Sequence, residues 1–308
     1  MAFRESYRKQ VELLLQCLPH IAQEDDFALK GGTAINLFVR NFPRLSVDID
    51  LTFLPVLPRA ESIAAVNAGM TRVALRLRQY LNGVRVSEHM TVEGILTRII
   101  ARRADVQIKI EINPVLRGSV YEPSVMGVCE KVEAEFGFAE IKVVSHADLY
   151  AGKLVAALDR QHPRDLFDVR DLLAIDGLND DLRRAFIVYL ISHDRPMAEV
   201  LSATPKEIRG EYERGFVGMT EEEVSLGALL AAREQMTDSL ISDMPHDHRK
   251  FLIAFERGQP EWDLIGLPAA KDLPAVRWRQ INLDGLPRER RDALVARLEM
   301  TLLDKRPT

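Results

Sequence analysis

The sequence predicts an α+β protein: a mixed sheet with flanking helices over residues 1–145, followed by a mostly helical stretch over residues 146–308. Three patterns carry this reading. SVDIDLTFL at 46–54 and VQIKIEINP at 106–114 alternate polar and apolar residues, the period of a half-buried strand. A short apolar run, Phe27-Ala28-Leu29, breaks at Lys30-Gly31-Gly32 and is followed by the helical TAINLFVR. From His146 onward the apolar spacing is that of helices.

Taken in order, residues 4–24 place Val11, Leu14, Leu15 and Leu18 on one face of an opening helix. Strand, glycine turn and helix then follow from Phe27. In the strand at 46–54, Asp48 and Asp50 project to one side and Val47, Ile49 and Leu51 to the other. A long helix runs from Arg59 to Asn82, where Asn82-Gly83 is a stop signal. ILTRIIARR at 95–103 is β-branched, and the strand at 106–114 sets Gln107, Lys109 and Glu111 against Val106, Ile108, Ile110 and Ile112. Ala139 to Val144 gives one more strand. HADLYAGKLVAALDR, PRDLFDVRDLLAI and DLRRAFIVYLIS read as helices, with others near 221–240, 246–257 and 287–304, and Gly258 to Pro274 as a connection.

With 47% hydrophobic residues in 308, the chain can bury a sizeable core. Its two cysteines, Cys17 and Cys129, are far apart and outside any C-x-x-C pair, which points to a reducing, cytoplasmic setting rather than a disulfide or zinc framework. The N-terminus mixes charges into its apolar positions, unlike a signal peptide. No segment approaches the roughly 20 apolar residues of a membrane span, so no membrane partner is expected. A formal charge of −5 argues against a protein that coats nucleic acid, whose binding comes from neutralised phosphates. Local basic clusters remain, at Arg72, Arg76 and Arg78, at Arg98, Arg102 and Arg103, and at Arg288, Arg290 and Arg291.

Phosphoryl and nucleotidyl transfer need little covalent help from a protein but much charge neutralisation, which metals held by carboxylates supply. Asp48 and Asp50, about 6.6 to 6.8 Å apart along one face of a strand, suit that task. Glu111 on a neighbouring strand adds a third carboxylate, making an oxygen-rich site for magnesium or manganese. Gly31, Gly32 and Thr33 at a strand-to-helix turn offer backbone N–H groups and a hydroxyl to a triphosphate. Each feature alone is commonplace, whereas their joint order along the chain is not. Ser46, beside Asp48, reads equally as a phosphate contact, a modification point or an ordinary strand serine.

This order resembles the polymerase-β-type nucleotidyltransferase superfamily, and KGGTAINLFVRNFPRLSVDIDLTF at 30–53 is similar in particular to the AbiEii/AbiGii and MenT toxin nucleotidyltransferases. Arg44, Ser46, Asp48, Ile49 and Asp50 match their first motif, and KIEI, with Lys109 and Glu111, the second. DLYAGK, with Asp148 and Lys153, matches the third. RQHPRDLFD, with Arg160, Arg164, Asp165 and Asp168, matches the fourth. The resemblance spans roughly residues 27 to 175.

What it implies is a bilobed, magnesium-dependent enzyme with a cleft lined by the D-x-D sheet and by the helical motifs. It would move NMP from an NTP to an acceptor, with the 3′ end of tRNA the acceptor implied and an antitoxin encoded nearby. Asp48, Asp50 and Glu111 would bind metal. Gly31, Gly32, Thr33, Ser46, Lys109, Lys153, Arg164 and Asp168 would contact the nucleotide. Asp165 and Asp168 share one helix face, and either could act as base for the acceptor hydroxyl or as orienting partner of Lys153. A small-molecule acceptor, a protein acceptor and a non-catalytic nucleotide-binding module are the competing readings.

Overall fold

A computed structural model describes residues 5–303, with side chains from Tyr7 onward. Contacts divide the chain into two compact units: Met1–Ser145 with Val217–Glu223, and His146–Phe216 with Val224–Thr308.

In the first unit α1 (Glu5–Ile21) precedes β1 (Phe27–Lys30), α2 (Gly31–Ala34) and a π-helical turn at Ile35–Val39. Then come β2 (Asp48–Phe53), α3 (Arg59–Tyr80), β3 (Arg85–Met90), β4 (Leu96–Arg103), β5 (Val106–Ile112), β6 (Ser124–Gly127), α4 (Glu130–Phe136) and β7 (Glu140–Val143). They form one seven-stranded mixed sheet in the order β3-β4-β5-β2-β1-β7-β6. β2 runs parallel to β5 and antiparallel to β1, so the strand carrying the aspartates lies inside the sheet.

Alternation along the strands decides which face is covered. Ile49, Leu51, Ile108 and Ile110 are fully buried, while Asp48, Asp50, Lys109 and Glu111 between them are half-buried. Helix α1 packs on β5 and β7, and α3 packs on β3 and β4. Burying a side chain such as Ile110 stabilises the fold by about 1.5–3 kcal/mol, and that driving force fixes the register: a one-residue slip would turn the aspartates into the core.

The second unit is helical: α5 (His146–Arg160), α6 (Pro163–Ile175), α7 (Asp180–Ile191), α8 (Met197–Leu201), α9 (Arg209–Gly215), α10 (Leu226–Thr237), α11 (His246–Glu256), α12 (Pro274–Asp284) and α13 (Arg288–Leu303). α5 packs against α6 and α7, and α6 against α10. Caps set the boundaries. Pro163 opens α6 while His162 Nδ1 accepts from Arg164 N at 3.1 Å, and Asn179 Oδ1 accepts from Leu182 N at 2.9 Å at the start of α7. No helix among the described residues is long and apolar enough to cross a membrane.

The α+β class and its order are those expected from the sequence. Several elements are not. β3, β6, α4, α8, α9 and α12 lack a clean period, and both β3 and β6 are exposed edge strands with no buried row to mark them. The helix expected from 221 starts at Leu226; residues 217–223 belong instead to the sheet unit, where Thr220 bridges Arg44. The connection after Gly258 holds two 3-10 turns, Trp262–Leu264 and Pro268–Asp272. Arg4 and Asp304, the outer ends of the first and last expected helices, lie outside the described residues.

Candidate active site

The site is built on β2 and the turn after β1. Asp50 pairs in register with Lys30 on β1 and with Glu111 on β5, and Asp48 pairs with Lys109. Directly opposed residues share a face, so Lys30, Asp48, Asp50, Lys109 and Glu111 all project from the face opposite Ile49 and Ile110.

Two glycines let this face approach the backbone. Gly31 has φ +76°, and a Cβ there would collide with Asp50 Oδ2. A Cβ on Gly32 would stand 2.8 Å from a terminal nitrogen of Arg44 and 2.9 Å from Ser46 Oγ. The Gly-Gly pair is thus the space that the D-x-D carboxylate and the Arg44–Ser46 segment occupy. Gly31→Ala is expected to cost about 1–2 kcal/mol for its left-handed backbone alone, and to displace Asp50 with at least a ten-fold loss of activity. Thermal unfolding together with a transfer assay checks both.

Thr33 sits differently from the expectation that its hydroxyl meets a triphosphate. It is fully buried, donates to the main-chain oxygen of Asp48 and lies 3.1 Å from Ser46 Oγ. Its hydroxyl ties the glycine turn to the start of β2, where a buried polar group must find partners.

Lys30 is a residue that the pattern of the sequence did not single out. Protein atoms crowd its ammonium although the side chain keeps an opening to solvent, and this burial pushes its pKa down while nearby Asp50 pulls it up. Only the β1–β2 register brings it beside Asp50, and pairing partners are invisible in a local period.

A cation would find oxygen donors only. Among the described residues no three His, Cys, Asp or Glu side chains converge into a metal-binding cluster, and Glu111 accepts a hydrogen bond from Arg98 Nε. Asp48 and Asp50 remain as a two-carboxylate set. That suits magnesium, which keeps water ligands and is commonly held by one or two carboxylates plus substrate phosphates.

The second unit carries the other motif residues, grouped on α5 and α6. Lys153 Nζ lies 2.8 Å from Asp165 Oδ1 and 3.0 Å from Asp168 Oδ2. Arg160 donates from Nε to Asp165 Oδ2 at 3.0 Å and from a terminal nitrogen to Oδ1 at 3.1 Å. Burial pushes the Asp165 carboxyl up, but Lys153 and Arg160 outweigh it and bring the pKa from 3.8 to about 2. Both oxygens of this carboxylate are engaged, one by Lys153 and Arg160 and the other by Arg160. Asp148, in the third motif, accepts a hydrogen bond from Tyr189 at 3.1 Å. Burial and Asp148 both push the Tyr189 hydroxyl up, which keeps it a donor. Arg164 has no side-chain hydrogen bond or ion pair among the described residues.

Residues 12–278 match the model of the AbiEii nucleotidyl transferase toxins of type IV toxin–antitoxin systems. The chain belongs to the AbiEii family. Membership makes it a nucleotidyltransferase toxin, with a nucleoside triphosphate as substrate and a cognate antitoxin as counterpart. A solved structure of MenT4, a nucleotidyltransferase toxin from Mycobacterium tuberculosis, is similar over 98% of this AbiEii chain and 94% of its own, with a TM-score of 0.55. At 14% identity that likeness is one of fold. No curated protein sequence matches significantly.

Proposed function

We propose that this AbiEii protein transfers NMP from an NTP to the 3′ end of an RNA, tRNA above all, and releases pyrophosphate. The observation that carries the reading is the fit of Asp50 into the space left by Gly31, with Asp48 two residues before it on the same strand. Two half-buried carboxylates on one face of a strand, with only oxygen donors to offer, suit a hard divalent cation.

In this reading Asp48 and Asp50 hold magnesium or manganese, with Glu111 joining them when it leaves Arg98. The metal, when bound, neutralises charge on the phosphates and on the attacking and leaving oxygens. Backbone N–H groups at Gly31 and Gly32, with Ser46 and Lys109, contact the phosphates. Lys153 and Arg164 are assigned to the triphosphate by their match to the family's third and fourth motifs, and within the second unit Asp165 and Asp168 hold Lys153 in one rotamer. The loose transition state of such transfers makes little demand for a strong base, which agrees with the acidity of Asp165.

The test is incubation with each labelled NTP, magnesium, total cellular RNA and a cell lysate, with RNA and protein products resolved on one gel. Label on tRNA-sized RNA is the expected result. Label on protein alone would assign a protein acceptor, and NTP consumption without labelled macromolecule a small one.

A further inference from the structure

The β3–β4–β5 end of the sheet presents a basic face of which only Lys109 belongs to the site described above. Register and exposure define it. Arg85 on β3 opposes Arg102 on β4, which opposes Gln107 on β5, and Arg98 on β4 opposes Glu111. Arg85, Arg98 and Arg102 are exposed and Lys109 is half-buried, whereas Ile99, Ala101, Ile108 and Ile110 on the other face are buried. All four cations therefore project from the face that carries Asp48 and Asp50.

Their partners are few. Arg102 donates only to the neutral Gln107, at 2.7 Å, and Arg98 is paired with Glu111. Arg85 and Lys109 have no side-chain hydrogen bond or ion pair among the described residues. The Arg72, Arg76 and Arg78 cluster is paired locally: Arg72 and Arg76 bind the buried Glu24, and Arg78 binds Glu88. Arg291 donates to a main-chain oxygen and Arg288 lies 3.7 Å from Asp292. In a chain whose formal charge is −5, a row of exposed cations beside the two aspartates is a local departure from the overall charge.

We infer that this face holds the sugar–phosphate backbone of a nucleic-acid acceptor whose 3′ end lies at Asp48 and Asp50; the inference rests on the transfer reading above. Lys109 opposes Asp48 in the register, so the cations begin beside the carboxylates and run toward Arg102 and Arg85. Strand spacing and rise make the patch roughly 10 by 14 Å, room for about two or three phosphates. Point charges on an open sheet hold a backbone without reading its bases. A closed apolar pocket, which a small acceptor would need, is not what these strands offer.

The test uses the full-length protein and its Arg85→Gln/Arg102→Gln double variant, with fluorescein-labelled tRNA and a single-stranded RNA 12-mer read by anisotropy over a series of salt concentrations. NTP binding is measured by calorimetry on both proteins. We expect about a ten-fold weaker RNA affinity in the variant, and a slope of log K against log salt shallower by about 1.4 to 1.8. NTP affinity should stay within two-fold, and the Arg85→Lys/Arg102→Lys variant should recover most of the RNA affinity. Unchanged RNA affinity and slope, or a wild-type protein that binds neither RNA, would overturn the assignment. If NTP is still consumed in that case, only the surface is lost; if NTP is neither bound nor consumed, the transfer reading falls with it.

Discussion

Lys153→Ala is expected to slow transfer strongly and to lower stability by about 3–5 kcal/mol, the usual cost of removing one partner of a buried ion pair. Lys153 is 9% exposed and stands between Asp165 at 3% and Asp168 at 2%. Removing the ammonium leaves Asp165 with Arg160 and strips Asp168 of a cation at 3.0 Å. The loss in rate should reach about 10²–10³, as for other fixed groups aimed at developing charge. Lys153→Arg should recover stability better than activity, because a planar fork does not reproduce a point charge held by two carboxylates. Denaturant unfolding and steady-state transfer rates on the same preparations check both. The pH dependence has a definite sign. The folded pKa of Asp165, about 2, lies below its ordinary 3.8, so its stabilisation is full above about pH 4 and is lost as the pH falls toward 2. The difference corresponds to about 2 kcal/mol at neutral pH. Acid unfolding of Asp165→Asn should lack that component.

The opposite signature is expected for Asp48→Asn: a loss of about 10³ in transfer with stability unchanged or raised. The charges of Asp48 and Asp50 sit about 6.7 Å apart along β2 and repel by roughly 0.6–2.5 kcal/mol at effective dielectric constants of 80 to 20. Neutralising Asp48 relieves that repulsion while keeping the shape, whereas Asp50→Asn also removes the negative charge beside Lys30. A rise in melting temperature with loss of activity is the mark of groups retained for chemistry at the expense of the fold. A fall of more than about 2 kcal/mol would instead assign Asp48 a structural role.

What the sequence made legible follows from what a local period encodes. Alternation in DIDLTF separates Asp48 and Asp50 from Ile49 and Leu51, and their exposures divide accordingly. The Gly31-Gly32 turn is visible because only glycine readily takes φ +76° beside a carboxylate. Pairing between distant strands is not local. Hence Lys30 across from Asp50 and Arg98 on Glu111 emerge only from the fold. The burial of Thr33 and the acidity of Asp165 are tertiary in the same sense, since neighbours far along the chain set both. Arg85 was hidden because β3, an edge strand with no buried row, has no alternation to announce it.

The most direct test of the central claim is a comparison of α- and γ-labelled NTP in otherwise identical reactions with magnesium and total RNA, using wild-type protein and Asp48→Asn. Nucleotidyl transfer at Asp48 and Asp50 predicts label on RNA from the α-labelled nucleotide only, γ-label released as pyrophosphate, and neither with the variant. Label reaching the acceptor from the γ position, or undiminished transfer by Asp48→Asn, would contradict it.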